Sequence, residues 1–206
     1  MPAKPTANVR NGGRLREGKR RSILRGAKTI FLKKGFGGAS MDSVAEEAGV
    51  SKMTLYRHFL SKEELFAGVI SDLCLGIVDS DLKRVFEQEP QQALRAFAKR
   101  MIDTVFAPET LELHRIVIAE SHRFPKLGAL FYRSGPQACV DVLAAYFDKH
   151  RADARLKIRA PRRSAEEFLE LLRGYAHLRV LLGLDKEPSA ADIRARIDAA
   201  LRHVLR

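Results

Sequence analysis

The run from Ser40 to Phe59 (SMDSVAEEAGVSKMTLYRHF) concentrates residues suited to gripping a polyanion. Lys52, Thr54, Tyr56, Arg57 and His58 bring donors, acceptors and a methyl group within two helical turns. Those groups match the base edges and phosphates of a DNA major groove. Reading them there requires two short helices, at about 41–48 and 52–59, crossing at a tight turn. Ala45 is small enough for close approach, and Gly49 supplies the positive φ of a sharp helix exit. Val44, Val50 and Leu55 face inward, and Ser51 caps the second helix near Met53 and Thr54. Recognition helices touch bases with their N-terminal residues, which assigns Lys52, Met53 and Thr54 to base edges. Tyr56 and His58 suit phosphates, and Arg57 completes the exposed face. Ser40 and Met41 open the preceding helix and Lys62 the following one, where helix N-termini favour phosphate.

Enzymatic chemistry finds little support. No nucleophile elbow, phosphate-binding P-loop, dinucleotide fingerprint or HExxH is present. Glu120 and His122 are two apart and fall on different helix faces. His114 and His122 are two turns apart rather than the one a metal pair prefers, so neither metal, cofactor nor catalytic residue is expected. Cys74 and Cys139 belong to no CxxC pair; they read as small hydrophobes in a reducing compartment.

The surrounding pattern is all-α. Ile23, Ala27, Ile30 and Phe31 make one face of a helix at about 19–34, with Gly35 as its C-cap and a turn at Gly37 and Gly38. A helix from Ser61, opened by a Ser61…Glu64 capping box, carries an apolar stripe to about Val78. Further helices are expected at about 91–106, 109–122, 126–133, 136–150, 164–182 and 189–205. Ser164…Glu167 and Ser189…Asp192 read as capping boxes for the last two. The expected organisation is a flexible basic tail at 1–18, a helix-turn-helix domain at 19–66 and a larger helical domain at 67–206. The basic stretch 151–163 reads as a solvated loop.

Composition agrees. The chain has 206 residues, 46% hydrophobic, with 37 Lys and Arg against 25 Asp and Glu. A net charge of +12 points to a polyanionic partner, nucleic acid ahead of a membrane surface. No run reaches the ~20 apolar residues of a membrane span, and no secretory signal is evident, so a cytoplasmic location is expected.

Residues 20–66 resemble the DNA-binding domain of TetR-family regulators. The resemblance rests on Phe31-Leu32-Lys33-Lys34-Gly35-Phe36, Ser43 to Lys52, Thr54-Leu55-Tyr56-Arg57-His58-Phe59 and Ser61 to Phe66. Met53 departs from it, standing where the family often has a small residue. Residues 113–135, including Ile118 to Pro125 and Phe131 to Pro136, look like the AefR-like type of C-terminal domain. The resemblance implies a repressor of double-stranded operator DNA, released by a small organic effector. It also implies a homodimer through the last two helices. Two stripes would supply that surface: Phe168, Leu171, Leu172, Tyr175 and Leu178, and Ile193, Ile197, Leu201, Val204 and Leu205. Phe97, Met101, Phe106, His114, Ile118, His122, Tyr146 and Tyr175 are the candidate effector-pocket residues, apolar walls with a few polar tips. An architectural, sequence-indifferent DNA-binding protein is the competing reading; it would share the salt dependence and lack the preference.

Overall fold

The computed structural model describes residues 7–75 and 80–206. The fold is helical: α1 (Ala7–Gly38), α2 (Met41–Glu47), α3 (Lys52–His58), α4 (Lys62–Leu75), α5 (Ser80–Val85), α6 (Pro90–Val105), α7 (Pro108–Glu120), α8 (Pro125–Tyr132), α9 (Ala138–Lys149), α10 (Pro161–Leu181) and α11 (Ala190–Val204). A π-helical turn, Arg133–Gln137, joins α8 to α9. Among the described residues there is no strand, only an isolated antiparallel bridge between Leu156 and Leu205. The chain divides into two compact units, Met1–Val69 and Ile70–Arg206.

The first unit is built on aromatic packing. Phe31 stacks on Phe36, and Phe66 meets both edge-on at 5.2 and 5.5 Å between ring centres. Each ring is fully buried, and such pairs contribute about 0.5–1.5 kcal/mol beyond the area they bury. Phe31 and Phe36 sit on either side of Gly35, whose φ of 69° interrupts α1. That is where the sequence places a cap, because glycine alone enters the left-handed region without a Cβ penalty.

In the second unit, α6, α9, α10 and α11 close around a core that includes Leu94, Phe97, Phe147, Phe168, Leu172 and Leu201. α6 shows why it forms. Leu94, Phe97, Met101 and Ile102 recur at helical spacing and are buried. Pro90 occupies the first helical position, where its missing N–H costs nothing. Arg115 of α7 fastens the end of α10, donating from Nε and Nη2 to the Leu181 and Val180 carbonyls at 2.9 Å each. Gly174 breaks α10 with a φ of 48°, and Arg196 of α11 donates to the neighbouring Arg173 carbonyl at 3.4 Å.

Several expectations are corrected. Residues 7–18, read as a flexible tail, are the start of α1; residues 1–6 lie outside the described residues. The Ser164…Glu167 capping box does not form, because α10 begins at Pro161 and Ser164 donates its N–H to Ala160 inside the first turn. The Ser189…Asp192 box does form. α4 is described to Leu75, and the rest of its expected length, to about Val78, lies outside the described residues. α5 has no counterpart in the sequence reading. Pro136, expected to separate two helices, lies within the π-helical turn, whose wider ring accommodates a residue with no N–H.

Candidate nucleic-acid interface and effector cavity

Ser40 and Ser51 set the two short helices. Ser40 Oγ accepts from the Ser43 N–H at 3.1 Å, and Ser43 Oγ accepts from the Ser40 N–H at 3.2 Å. Ser51 Oγ accepts from the Thr54 N–H at 3.2 Å and shares a 2.9 Å hydrogen bond with Thr54 Oγ1. Gly49, at φ 65°, makes the exit between them, and the Val50 N–H returns to the Ala45 carbonyl at 3.0 Å. Val44 and Leu55 are buried, and Val50 is half-buried. A contact that sequence reading missed brings α1 against α2. Gly26 packs so closely on Ala48 that a Cβ there would lie 2.9 Å from the Ala48 backbone nitrogen. Ser22 Oγ donates to the Ala48 carbonyl beside it, at 3.1 Å.

With Leu55 turned inward, α3 turns Lys52, Met53, Tyr56 and Arg57 outward. Met53 is 81% exposed, an unusual place for a large apolar side chain unless something covers it. Thr54 and His58 are half-buried on the flanks, and Met41 is half-buried at the start of α2. The Lys52 ammonium is held by Asp42, 2.8 Å away, which raises its pKa through the hydrogen bond and the charge. Asp42 therefore sits at the predicted base-reading end of α3. Its place in the first turn of α2 was legible; that it reaches Lys52 was not.

The Lys62 ammonium donates to the carbonyls of Phe36 at 2.7 Å, Ala39 at 2.9 Å and Gly37 at 3.4 Å, and lies 4.6 Å from the centre of the Phe36 ring. It ties α4 to the carboxyl end of α1. At the same helix start, Ser61 Oγ accepts from the Glu64 N–H, and the Glu64 carboxylate accepts from the Leu60 N–H, one residue before the expected partner.

The second unit contains a cavity of about 170 Å³. Its walls come from α4, α6, α7, α8, the π-helical turn, α9 and α10. Met101 and His114 line it as expected, joined by Ile70, Leu113, Phe131, Val140 and Leu169. Polar groups reach it from Thr110, Cys74, Cys139, Glu166, Glu170, Arg173 and His177. The Thr110 hydroxyl is buried without a hydrogen-bond partner. His177 is a buried polar residue of the core, 7% exposed, with its ring 5.3 Å from that of His114. Burial first, then the nearby His114 and Arg173, lower the His177 pKa to about 4. Burial also lowers that of His114.

The other six candidate pocket residues are not among those lining this cavity. Phe97 is fully buried in the core, and Phe106 is buried with its ring edge-on to His177. Tyr146 is buried between Phe86 and His150, and burial pushes its phenol up to about 12. Ile118, His122 and Tyr175 point to solvent, Tyr175 at 84% exposure. Helical periodicity located the inward faces of α6 and α9 but gave no sign of which residues border empty space. On α7 and α10 an off-face aromatic or apolar residue was taken for an inward one.

The sequence matches two family profiles. Residues 23–69 match the profile described as bacterial regulatory proteins, tetR family. Residues 92–206 match the AefR-like transcriptional repressor C-terminal domain. The chain belongs to the TetR family of transcriptional regulators.

Among relatives, it is 30% identical to the HTH-type transcriptional activator FasR of Mycolicibacterium smegmatis, over 75% of this chain and 69% of FasR. It is 29% identical to the HTH-type transcriptional regulator UidR of Escherichia coli, over 54% of this chain and 56% of UidR. The fold matches a TetR-family regulator from Mesorhizobium loti with a TM-score of 0.74 at 28% identity, covering 91% and 95% of the two chains. It also matches the flavonoid-responsive regulator FrrA, with a TM-score of 0.67 at 37% identity, covering 90% and 94%. This TetR-family chain is thus a DNA-binding regulator, not an enzyme. Among the described residues no helix is long and apolar enough to cross a membrane.

Proposed function

We propose that this TetR-family protein is a homodimeric repressor that reads an operator with α3 and leaves it when a small aromatic ligand enters the cavity. The observation that carries the reading is α3 itself. It is capped by Ser51, pinned by Leu55, and left with Lys52, Met53, Tyr56 and Arg57 outward. Lys52, Met53 and Thr54 then meet base edges, while Tyr56, Arg57, His58 and the Ser40–Met41 helix start hold phosphates.

Two helix-turn-helix units are needed for useful affinity. The exposed face of α10, with Leu171, Tyr175, Leu178 and Leu182, supports a dimer there. α11 reaches that surface at His203, which lines a shallow groove with Leu171, Tyr175 and Leu178. Its predicted apolar stripe does not serve: Ile197, Leu201 and Val204 are buried in the monomer core.

For the ligand, an apolar wall with the unpartnered Thr110 hydroxyl, His114 and Arg173 suits a flat ring bearing hydroxyl groups. The flavonoid response of FrrA favours the same class. Selection of duplexes from a random pool tests the reading. Enrichment of a two-fold symmetric site, with naringenin weakening its binding, is the expected result. No enrichment would support the architectural alternative and overturn the proposal. A reporter under the selected site separates repression from the activation that FasR is named for: expression rises on deletion of a repressor.

A further inference from the structure

The two cysteines of the chain come from distant parts of the sequence and line the same cavity. Cys74 lies in the last turn of α4 and Cys139 in the first turn of α9. Gly135, in the π-helical turn just before α9, makes room for their meeting: a Cβ there would lie 3.5 Å from Cys74 Sγ and 3.2 Å from Ile70 Cγ2. Cys139 follows Gly135 by four residues, about one helical turn, so both cysteines border the same part of the cavity wall. Cys139 is buried and Cys74 half-buried. The Cys139 thiol nearby holds Cys74 below the ordinary thiol value. The Cys74 thiol and burial push Cys139 up, and Arg173 opposes that shift. Cys74 is thus the more accessible of the two to a molecule in the cavity, and Cys139 the more enclosed.

That division of roles is what a dithiol needs to react in two steps. We propose that Cys74 and Cys139 are a modification site, where a hydroperoxide entering the cavity forms an intramolecular Cys74–Cys139 disulfide that changes operator affinity. Cys74 sulfur attacks one peroxide oxygen. The S–O bond forms, the O–O bond breaks, and the departing oxygen leaves as water or alcohol with the Cys74 proton. Cys139 sulfur then attacks Cys74 sulfur. The S–S bond forms, the S–O bond breaks, and hydroxide leaves as water with the Cys139 proton. The thiols lose two electrons in all and the peroxide gains them. A bond of about 2.05 Å replaces a looser contact and draws the end of α4 onto the start of α9. α4 begins within the DNA-binding unit, at the lysine that holds the carbonyls of α1.

The regulatory half rests on the operator reading above; the chemistry does not. Reduced full-length protein is treated with hydrogen peroxide, and its thiols and intact mass are measured without DNA. Both thiols should disappear together, with loss of two hydrogens and no bond between chains. Cys139→Ser should stop at a Cys74 sulfenic acid captured by dimedone, and Cys74→Ser should leave Cys139 reduced. Two thiols persisting in the wild-type protein, or a disulfide between chains, overturns the site even if a variant fails to fold. Oxidised protein should bind the selected duplex with an affinity changed by about fivefold or more, restored by a reductant. An unchanged affinity of fully bridged protein overturns the switch. Failure of the reduced protein to select any duplex overturns the operator reading and leaves the thiol result standing.

Discussion

The helix-turn-helix and the cavity are built by opposite rules. α2, α3 and their turn are fixed by partners three to five residues away: Ser40 with Ser43, Ser51 with Thr54, Val50 with Ala45. The cavity borders seven segments, from Ile70 to His177, and no single one of them defines it. A site made of local contacts is written in short spacing. One made by helices meeting across a core depends on packing that spacing does not encode. The contrast also divides the energetics. The first site spends little burial and exposes charge; the second removes ionisable side chains from water and shifts their pKa values.

The comparison can be broken most forcefully at Leu55, which is fully buried and orients all of α3. Leu55→Ala should cost roughly 2–5 kcal/mol and abolish duplex binding. Urea unfolding followed by circular dichroism checks it; a variant of unchanged stability would mean α3 is not pinned as described.

The cavity makes the next prediction. His177 is near 4 in the folded chain against an ordinary 6.5, so the unfolded chain binds more protons between those values. The stability its neutral form supports is present above about pH 6.5 and lost as pH falls toward 4. The loss is up to about 3 kcal/mol, with little further change from this group below that. Melting temperatures across this range should fall less steeply for His177→Gln.

Lys62 sharpens the boundary between binding and structure. Lys62→Met should lower stability by about 1–3 kcal/mol through loss of its hydrogen bonds to the carbonyls of residues 36, 37 and 39. It should leave the salt dependence of DNA binding unchanged, because no phosphate contact is removed. A salt slope reduced by about one would return Lys62 to the phosphate group. Smallest of all is Asp42→Asn, which frees the exposed Lys52 ammonium. It should alter the preferred base in duplex selection and leave the melting temperature unchanged.

Much of the first unit was legible. The αL glycines at 35 and 49, the Ser51 cap and the inward Val44 and Leu55 were all readable, because each answers a local demand. Gly26 was not, since its partner Ala48 lies on another helix. Nor, for the same reason, were the carbonyls of residues 36–39 that engage Lys62, whose position at a helix start was visible. In the second unit most helix limits were readable from prolines and periodicity. Only Met101 and His114 were recovered at the cavity, and Arg173 and His177 were missed because a polar residue in a core stripe looks like a solvated one.

Guanine N7 lies in the major groove, so methylation interference on the selected duplex tests the claim that α3 enters it. Two clusters of interfering guanines, about 34–36 Å apart and weakened by Lys52→Ala, are the predicted result. Interference confined to minor-groove adenine positions, or spread without clusters, would contradict it.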